Sequence, residues 1–223
     1  CQKRKLISED PSYELDSPKL KRRLPHYLTL EESVGLLSTA AESEHGSRER
    51  DYCILTLFLN CGMRLSELSG INLSNIHENT LTVIGKGNKE RTIYLNAACM
   101  SALQDWLKVR PDKNLKDPGA LFISRIGRRL SNQMIQFTAK RLFREAGIDT
   151  SVYSVHKLRH TAATLMYKYG QVDIRSLQTI LGHSSVATTQ IYTHVDDELL
   201  HSAVEKNPLS GIKSGMSSPE SRT

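Results

Sequence analysis

Apolar residues recur at helical spacing over most of the chain. Thr29, with Glu32 three residues on, is a capping-box pattern ahead of Val34, Leu36 and Leu37. The apolar run from Ile54 to Leu59 stops just before Gly62, the residue type that best tolerates the left-handed turn at a helix end. The same periodicity predicts helices at about 97–109, 132–146, 155–169, 174–181, 186–194 and 197–206. Asn96, Ser131, Ser154 and Asp173 stand where N-caps belong, and Gly147, Gly170 and Gly182 stand where helices should end.

One region breaks this rhythm. Thr80-Leu-Thr-Val-Ile and Arg91-Thr-Ile-Tyr-Leu alternate in the manner of half-buried strands, and the Gly-rich segment Gly85-Lys-Gly-Asn-Lys-Glu joins them as a turn. Ala120-Leu-Phe-Ile-Ser is a candidate third strand. The fold class expected is therefore mainly α with a small antiparallel β-sheet, an α+β arrangement, with no solenoid repeat.

The two ends differ from this middle. Residues 1–26 mix basic runs with Pro11, Pro18 and Pro25 and lack a sustained apolar period, so they read as an interdomain linker with something before it. From about Asn207 to residue 223 the chain is rich in Ser, Gly and Pro and reads as a disordered tail. The stretch between, 27–206, is long enough for one good-sized core.

Charge adds a direction without a destination. Thirty Lys and Arg against 24 Asp and Glu give a formal net charge of +6, which favours a polyanionic partner of unspecified kind. Cys1, Cys53, Cys61 and Cys99 have neither the spacing of a disulfide framework nor that of a thiolate zinc site, which suits a reducing cytoplasm. No apolar stretch approaches the roughly 18 residues of a membrane span, and no signal-peptide pattern opens the chain.

Several residues could carry chemistry. His156 and Arg159 lie three apart, on one face and near the start of a predicted helix, where side chains and helix N-terminus together suit a phosphate. Taken alone, H-x-x-R is more simply a solvated basic face. His160 follows His156 by four, but Lys157 stands where a zinc protease needs its Glu. Arg64 follows a helix end and can pair with Glu67, which alone would be a local ion pair. Lys86 lies at the hairpin tip, where an ammonium ordinarily faces water. His183 follows a helix-ending glycine, and Tyr192 comes nine residues later.

In their order these residues resemble the pattern of the tyrosine recombinase family, the phage integrases and bacterial Xer enzymes, across roughly residues 27–206. Arg64, Lys86, His156, Arg159, His183 and Tyr192 match its Arg, Lys, His-x-x-Arg, His and Tyr. The flanks G-M-R-L-S-E-L, I-G-K-G-N-K-E-R, H-K-L-R-H-T-A-A-T and L-G-H-S-S-V-A-T-T-Q-I-Y-T-H-V look most like the Xer and integrase branch.

The resemblance implies a tyrosine recombinase catalytic-domain fold and these six residues as the catalytic set. Tyr192 would attack a scissile phosphate to give a 3'-phosphotyrosyl link, with Lys86 as general acid, His156 assisting proton transfer and His183 hydrogen-bonding a phosphate oxygen. Arg64 and Arg159 can hold two non-bridging oxygens. No cofactor, ATP or metal is implied. The implied partners are double-stranded DNA with a recombination site and a homo-tetramer on two such sites, or a second recombinase, with a septal DNA translocase as a further candidate. Strand exchange would proceed through a Holliday junction, and the C-terminal helix at about 197–206 would be exchanged between subunits. Packing of that helix within its own subunit is the alternative.

The family normally places a helical core-binding domain before the catalytic one, and here only its expected linker is present. Sequence-independent phosphate contacts should then survive as a salt-sensitive term, whereas site choice would be weakened. A type IB topoisomerase uses closely similar chemistry, and a non-catalytic DNA-binding module is the rival from another class. Chromosome-dimer resolution is the role that the Xer-like flanks favour over integration or excision of a mobile element.

Overall fold

Thr29 closes the predicted capping box in the computed structural model, which describes residues 27–85, 90–170, 172, 174–182 and 204–211. Its hydroxyl accepts from the Glu32 amide at 3.1 Å, and Glu32 Oε2 accepts from the Thr29 amide at 2.7 Å. Helix α1 (Leu30–Ala41) then buries Leu36, Leu37 and Ala40 against α2 (Arg48–Cys61). Residues 51–61 of α2 are buried on every side, which makes it the central helix of the body. Its buried carboxylate, Asp51, is matched by Arg50 at 2.8 Å and Arg141 at 2.9 Å. The helix ends at Gly62, whose φ of +59° and amide bond to the Phe58 carbonyl make the left-handed cap.

After Gly62 comes a short helix, α3 (Leu65–Gly70), and a 3-10 turn at Leu73–Asn75. The sheet follows as β1 (Ile76–His77), β2 (Thr80–Ile84) and β3 (Glu90–Tyr94), antiparallel in the order β1-β2-β3. Leu81 pairs with Ile93 and Val83 with Arg91, so the buried Leu81, Val83 and Ile93 share the face turned to the core.

Four more helices complete the body among the described residues: α4 (Ala97–Val109), α5 (Asn132–Glu145), α6 (Val155–Tyr169) and α7 (Ile174–Leu181). Asn96 caps α4 by accepting from the Cys99 amide at 3.0 Å, and Ser131 caps α5 by accepting from Met134 at 3.3 Å. Ser154 occupies the N-cap of α6 without a side-chain bond to its first turn. Asp173 and the predicted helix at 186–194 lie outside the described residues.

Two expectations are corrected. Ala120–Ser124 is not a strand of the sheet: isolated bridges join Ala120 to Asn72 and Ile123 to Arg129, and the third strand is Ile76–His77. The Leu121 amide is taken by the Ile71 carbonyl, and the Phe122 carbonyl by the Leu130 amide, so loops satisfy this buried segment on both sides. Residues 207–211, expected in the disordered tail, instead pack against the body. Asn207 and Leu209 are buried, and Asn207 Nδ2 donates to the Leu59 carbonyl at 3.1 Å. Of the helix expected at 197–206, residues 204–206 are described; Val204 is buried, and its carbonyl accepts from Asn96 Nδ2 at 3.3 Å.

No helix among the described residues is long and apolar enough to cross a membrane. Cys53, Cys61 and Cys99 are buried free thiols, with the sulfurs of Cys61 and Cys99 3.6 Å apart.

Candidate active site

Arg64, at the start of α3, and His156 and Arg159, both on α6, line one cleft of about 430 Å³, with Asn132, His160 and Leu181 also on its walls. The other three residues singled out in the sequence, Lys86, His183 and Tyr192, lie outside the described residues.

The left-handed turn at Gly62 sets the position of Arg64. Two residues beyond it, Arg64 adopts extended backbone as the N-cap of α3 and turns its guanidinium back over the turn it caps. Nη1 donates to Glu67 Oε1 at 2.7 Å, the backbone amide donates to Glu67 Oε2 at 2.8 Å, and Nη2 donates to the Gly182 carbonyl at 2.5 Å. The local ion pair foreseen between Arg64 and Glu67 is therefore present, and it also aims the arginine.

Arg159 sits in the second turn of α6. Nη1 donates to the Gly62 carbonyl at 2.6 Å and Nη2 to the Leu181 carbonyl at 2.5 Å. These two bonds use two of the five N–H donors of the guanidinium and fix its plane. Burial, and then the neighbouring charge of Arg64, lower its pKa to about 10, partly opposed by Glu67; it remains cationic at neutral pH. His156, the second residue of α6, adds an imidazole beside the positive end of that helix.

The two arginines are thus linked through one short stretch of backbone. Arg159 holds Leu181, Arg64 holds Gly182, and His183 is the next residue along the chain. A pair of guanidinium groups held in place before any anion arrives can bind a phosphodiester and stabilise added negative charge without rearranging.

Sequence reasoning missed the role of Arg91 here. Glu67, with its side chain fully buried, accepts from Arg91 Nη2 at 2.8 Å and Nε at 3.2 Å as well as from Arg64. Burial alone would raise the Glu67 pKa, but hydrogen bonds and charge from Arg91 and then Arg64 outweigh it and hold the carboxyl below its usual range. The available signal was positional: in Arg91-Thr-Ile93-Tyr-Leu95, Arg91 occupies an inward place in the alternation, where an apolar residue is expected.

The profile of the phage integrase family matches residues 26–198. Over 208 residues the chain is 59% identical to the tyrosine recombinase XerC of Caldanaerobacter subterraneus subsp. tengcongensis, covering 93% of this chain and 58% of that protein. It therefore spans less than two thirds of that relative's length. Among solved structures it is similar to the XerA recombinase, with TM-score 0.66 and 34% identity over 81% of this chain and 64% of that one. It is also similar to the XerH site-specific recombinase bound to a palindromic difH substrate in a post-cleavage complex. There the TM-score is 0.64 and the identity 30%, over 81% of this chain and 53% of that one.

Proposed function

The chain belongs to the phage integrase family, and from that membership we propose that it is the catalytic part of a tyrosine recombinase exchanging strands between two DNA sites. The observation that carries this reading is the pair of anchored guanidinium groups, Arg64 and Arg159, lining one cleft with His156. Two forks at fixed positions suit the non-bridging oxygens of a scissile phosphodiester.

In this reading the Tyr192 oxygen attacks phosphorus as the bond to the 5'-oxygen breaks, leaving a 3'-phosphotyrosyl link. A free phenol has a pKa of about 10, so ionising it at pH 7 costs about 4 kcal/mol; positive charge at the phosphate lowers that cost. His156 assists removal of the tyrosine proton, Lys86 protonates the departing 5'-oxygen, and His183 donates to a phosphate oxygen. One phosphodiester replaces another, so no ATP is consumed, and the two arginines supply the charge that a metal would otherwise bring. The 5'-hydroxyl of a second duplex then attacks the phosphotyrosine. Two such rounds through a Holliday junction recombine the sites.

The partners in this reading are duplex DNA carrying a recombination site and a tetramer of this chain or of this chain with a second recombinase. XerH, one of the structural neighbours, was captured with DNA after cleavage. Contacts such as Asn207 with Leu59 and Val204 with Asn96 would be made on a neighbouring subunit when the C-terminal segment is exchanged. Identity to XerC favours chromosome-dimer resolution in the cytoplasm, with a septal DNA translocase as activator, over integration of a mobile element. The test is product analysis with two duplexes and a supercoiled plasmid bearing the candidate site. Joint products between duplexes are expected, and relaxation of supercoils alone would contradict a recombinase.

A further inference from the structure

Arg91 is an inward-facing charge with three anchored contacts and no place in the chemistry set out above. Its position opposite Val83, in line with the buried Ile93, calls for an aliphatic side chain. Stability alone is often served as well by an aliphatic residue as by a buried ion pair. Arg91 instead donates twice to Glu67, the carboxylate that holds Arg64, and through Nη1 to the Ile180 carbonyl at 2.5 Å. Its side chain also lies across Gly182: a Cβ there would come within 2.8 Å of Arg91 Cδ, at a residue whose φ is already +63°.

We propose that Arg91 is a positioning residue for strand cleavage: one guanidinium ties strand β3 to Glu67 and to the end of α7, and so fixes both Arg64 and the backbone entering His183. The inference rests on the recombinase reading. It also gives the hairpin a physical link to the cleft, since β2 and β3 flank the segment containing Lys86. Arg91 touches no reacting atom in this account. It acts through Glu67 upon Arg64, and through Ile180 upon the adjoining Leu181 and Gly182, whose carbonyls the two cleft arginines hold.

The test compares unmodified protein, Arg91→Met and Arg91→Lys in single-turnover cleavage of a nicked duplex, with thermal melts to establish that each variant is folded. Two substrates are used, one with the natural scissile phosphate and one with a methylphosphonate there. The methylphosphonate lacks the non-bridging charge that Arg64 would compensate, so a misplaced Arg64 matters less to it. Arg91→Met is expected to cleave the natural substrate about 30-fold more slowly, with duplex affinity within about threefold of the unmodified protein. On the methylphosphonate the deficit should shrink to about threefold, and Arg91→Lys should recover part of the natural rate because an ammonium still reaches Glu67.

An equal deficit on both substrates, no deficit, or a loss that merely follows the unfolded fraction would overturn the proposal. A second readout needs no chemistry. The Arg64 amide, bonded to Glu67 Oε2, should exchange its hydrogen about tenfold faster in Arg91→Met while core amides of α2 keep their rates. Unchanged Arg64 exchange would also overturn it. Absence of any adduct from the unmodified protein on bound DNA would contradict the recombinase reading and the cleavage role with it, while the exchange rates would still decide whether Arg91 holds Arg64.

Discussion

Arg159 donates to the carbonyl oxygen of Gly62 at 2.6 Å, so the residue that ends the central helix also fixes the plane of a cleft guanidinium. Stability and site geometry meet at this glycine. A Cβ at position 62 would lie 2.7 Å from Leu181 Cδ2, and φ is +59°. Gly62→Ala should therefore cost about 1–3 kcal/mol, from left-handed strain plus overpacking. The measurement is the urea midpoint at unchanged slope; a shift smaller than about 0.5 kcal/mol would contradict this account of the turn.

Arg159→Lys tests the forked anchoring directly. One ammonium cannot reproduce a planar fork that bonds Gly62 and Leu181 and still faces the cleft. Cleavage should fall about 100-fold, or about 2.7 kcal/mol in the transition state, with DNA affinity little changed. Single-turnover rates alongside binding constants check the split, and a loss confined to affinity would argue against charge stabilisation at this position.

Glu67 should leave a mark on acid stability. Its carboxyl is held below the usual range, so folding gains from its ionisation above the unfolded pKa of about 4.3, and that gain is lost as pH falls through the lower folded pKa. The urea midpoint of the unmodified protein should fall more steeply below about pH 4.5 than that of Glu67→Gln, which lacks the titrating group. Parallel acid limbs would show that the pair with Arg91 and Arg64 contributes nothing to the slope.

Much of this body was legible in local chemistry. Thr29, Asn96 and Ser131 announce helices because their side chains accept from first-turn amides, and Glu32 completes the box by accepting from the Thr29 amide; those bonds are present. Helix α3 and strand β1, with six and two residues, are too short for a period to show. Ala120–Ser124 has the apolar character of a strand, yet such a run cannot be told from a buried segment whose backbone bonds are met by loops. Composition misplaced Asn207 and Leu209, because two buried side chains within a Ser- and Gly-rich stretch do not alter its average. In the cleft, Arg64, His156 and Arg159 were identifiable by motif. The bridge from Arg91 to Glu67 spans 24 positions and depends on tertiary contact; its one trace in the sequence was a charge at an inward strand position.

Asn96 joins the cap of α4 to the C-terminal segment. It accepts from the Cys99 amide at 3.0 Å and donates to Asn60 Oδ1 at 2.9 Å and to the Val204 carbonyl at 3.3 Å. Asn96→Ala removes the cap and leaves buried groups without their partner, for a cost of about 2–3 kcal/mol. Denaturant unfolding gives the total, and limited proteolysis should show faster cleavage within residues 204–211. An unaltered digestion pattern would mean that Asn96 does not hold this segment.

The central claim, that Tyr192 is the nucleophile of a DNA-cleaving site built around Arg64 and Arg159, is tested most directly by trapping a covalent adduct. Protein and a duplex nicked beside a candidate recombination site are combined without ATP or divalent metal, with Tyr192→Phe run alongside. The products are analysed by denaturing gel and by mass spectrometry of the peptides. The account predicts an adduct on Tyr192 that is lost in the Phe variant; an adduct that survives in that variant, or none on DNA known to be bound, would contradict it.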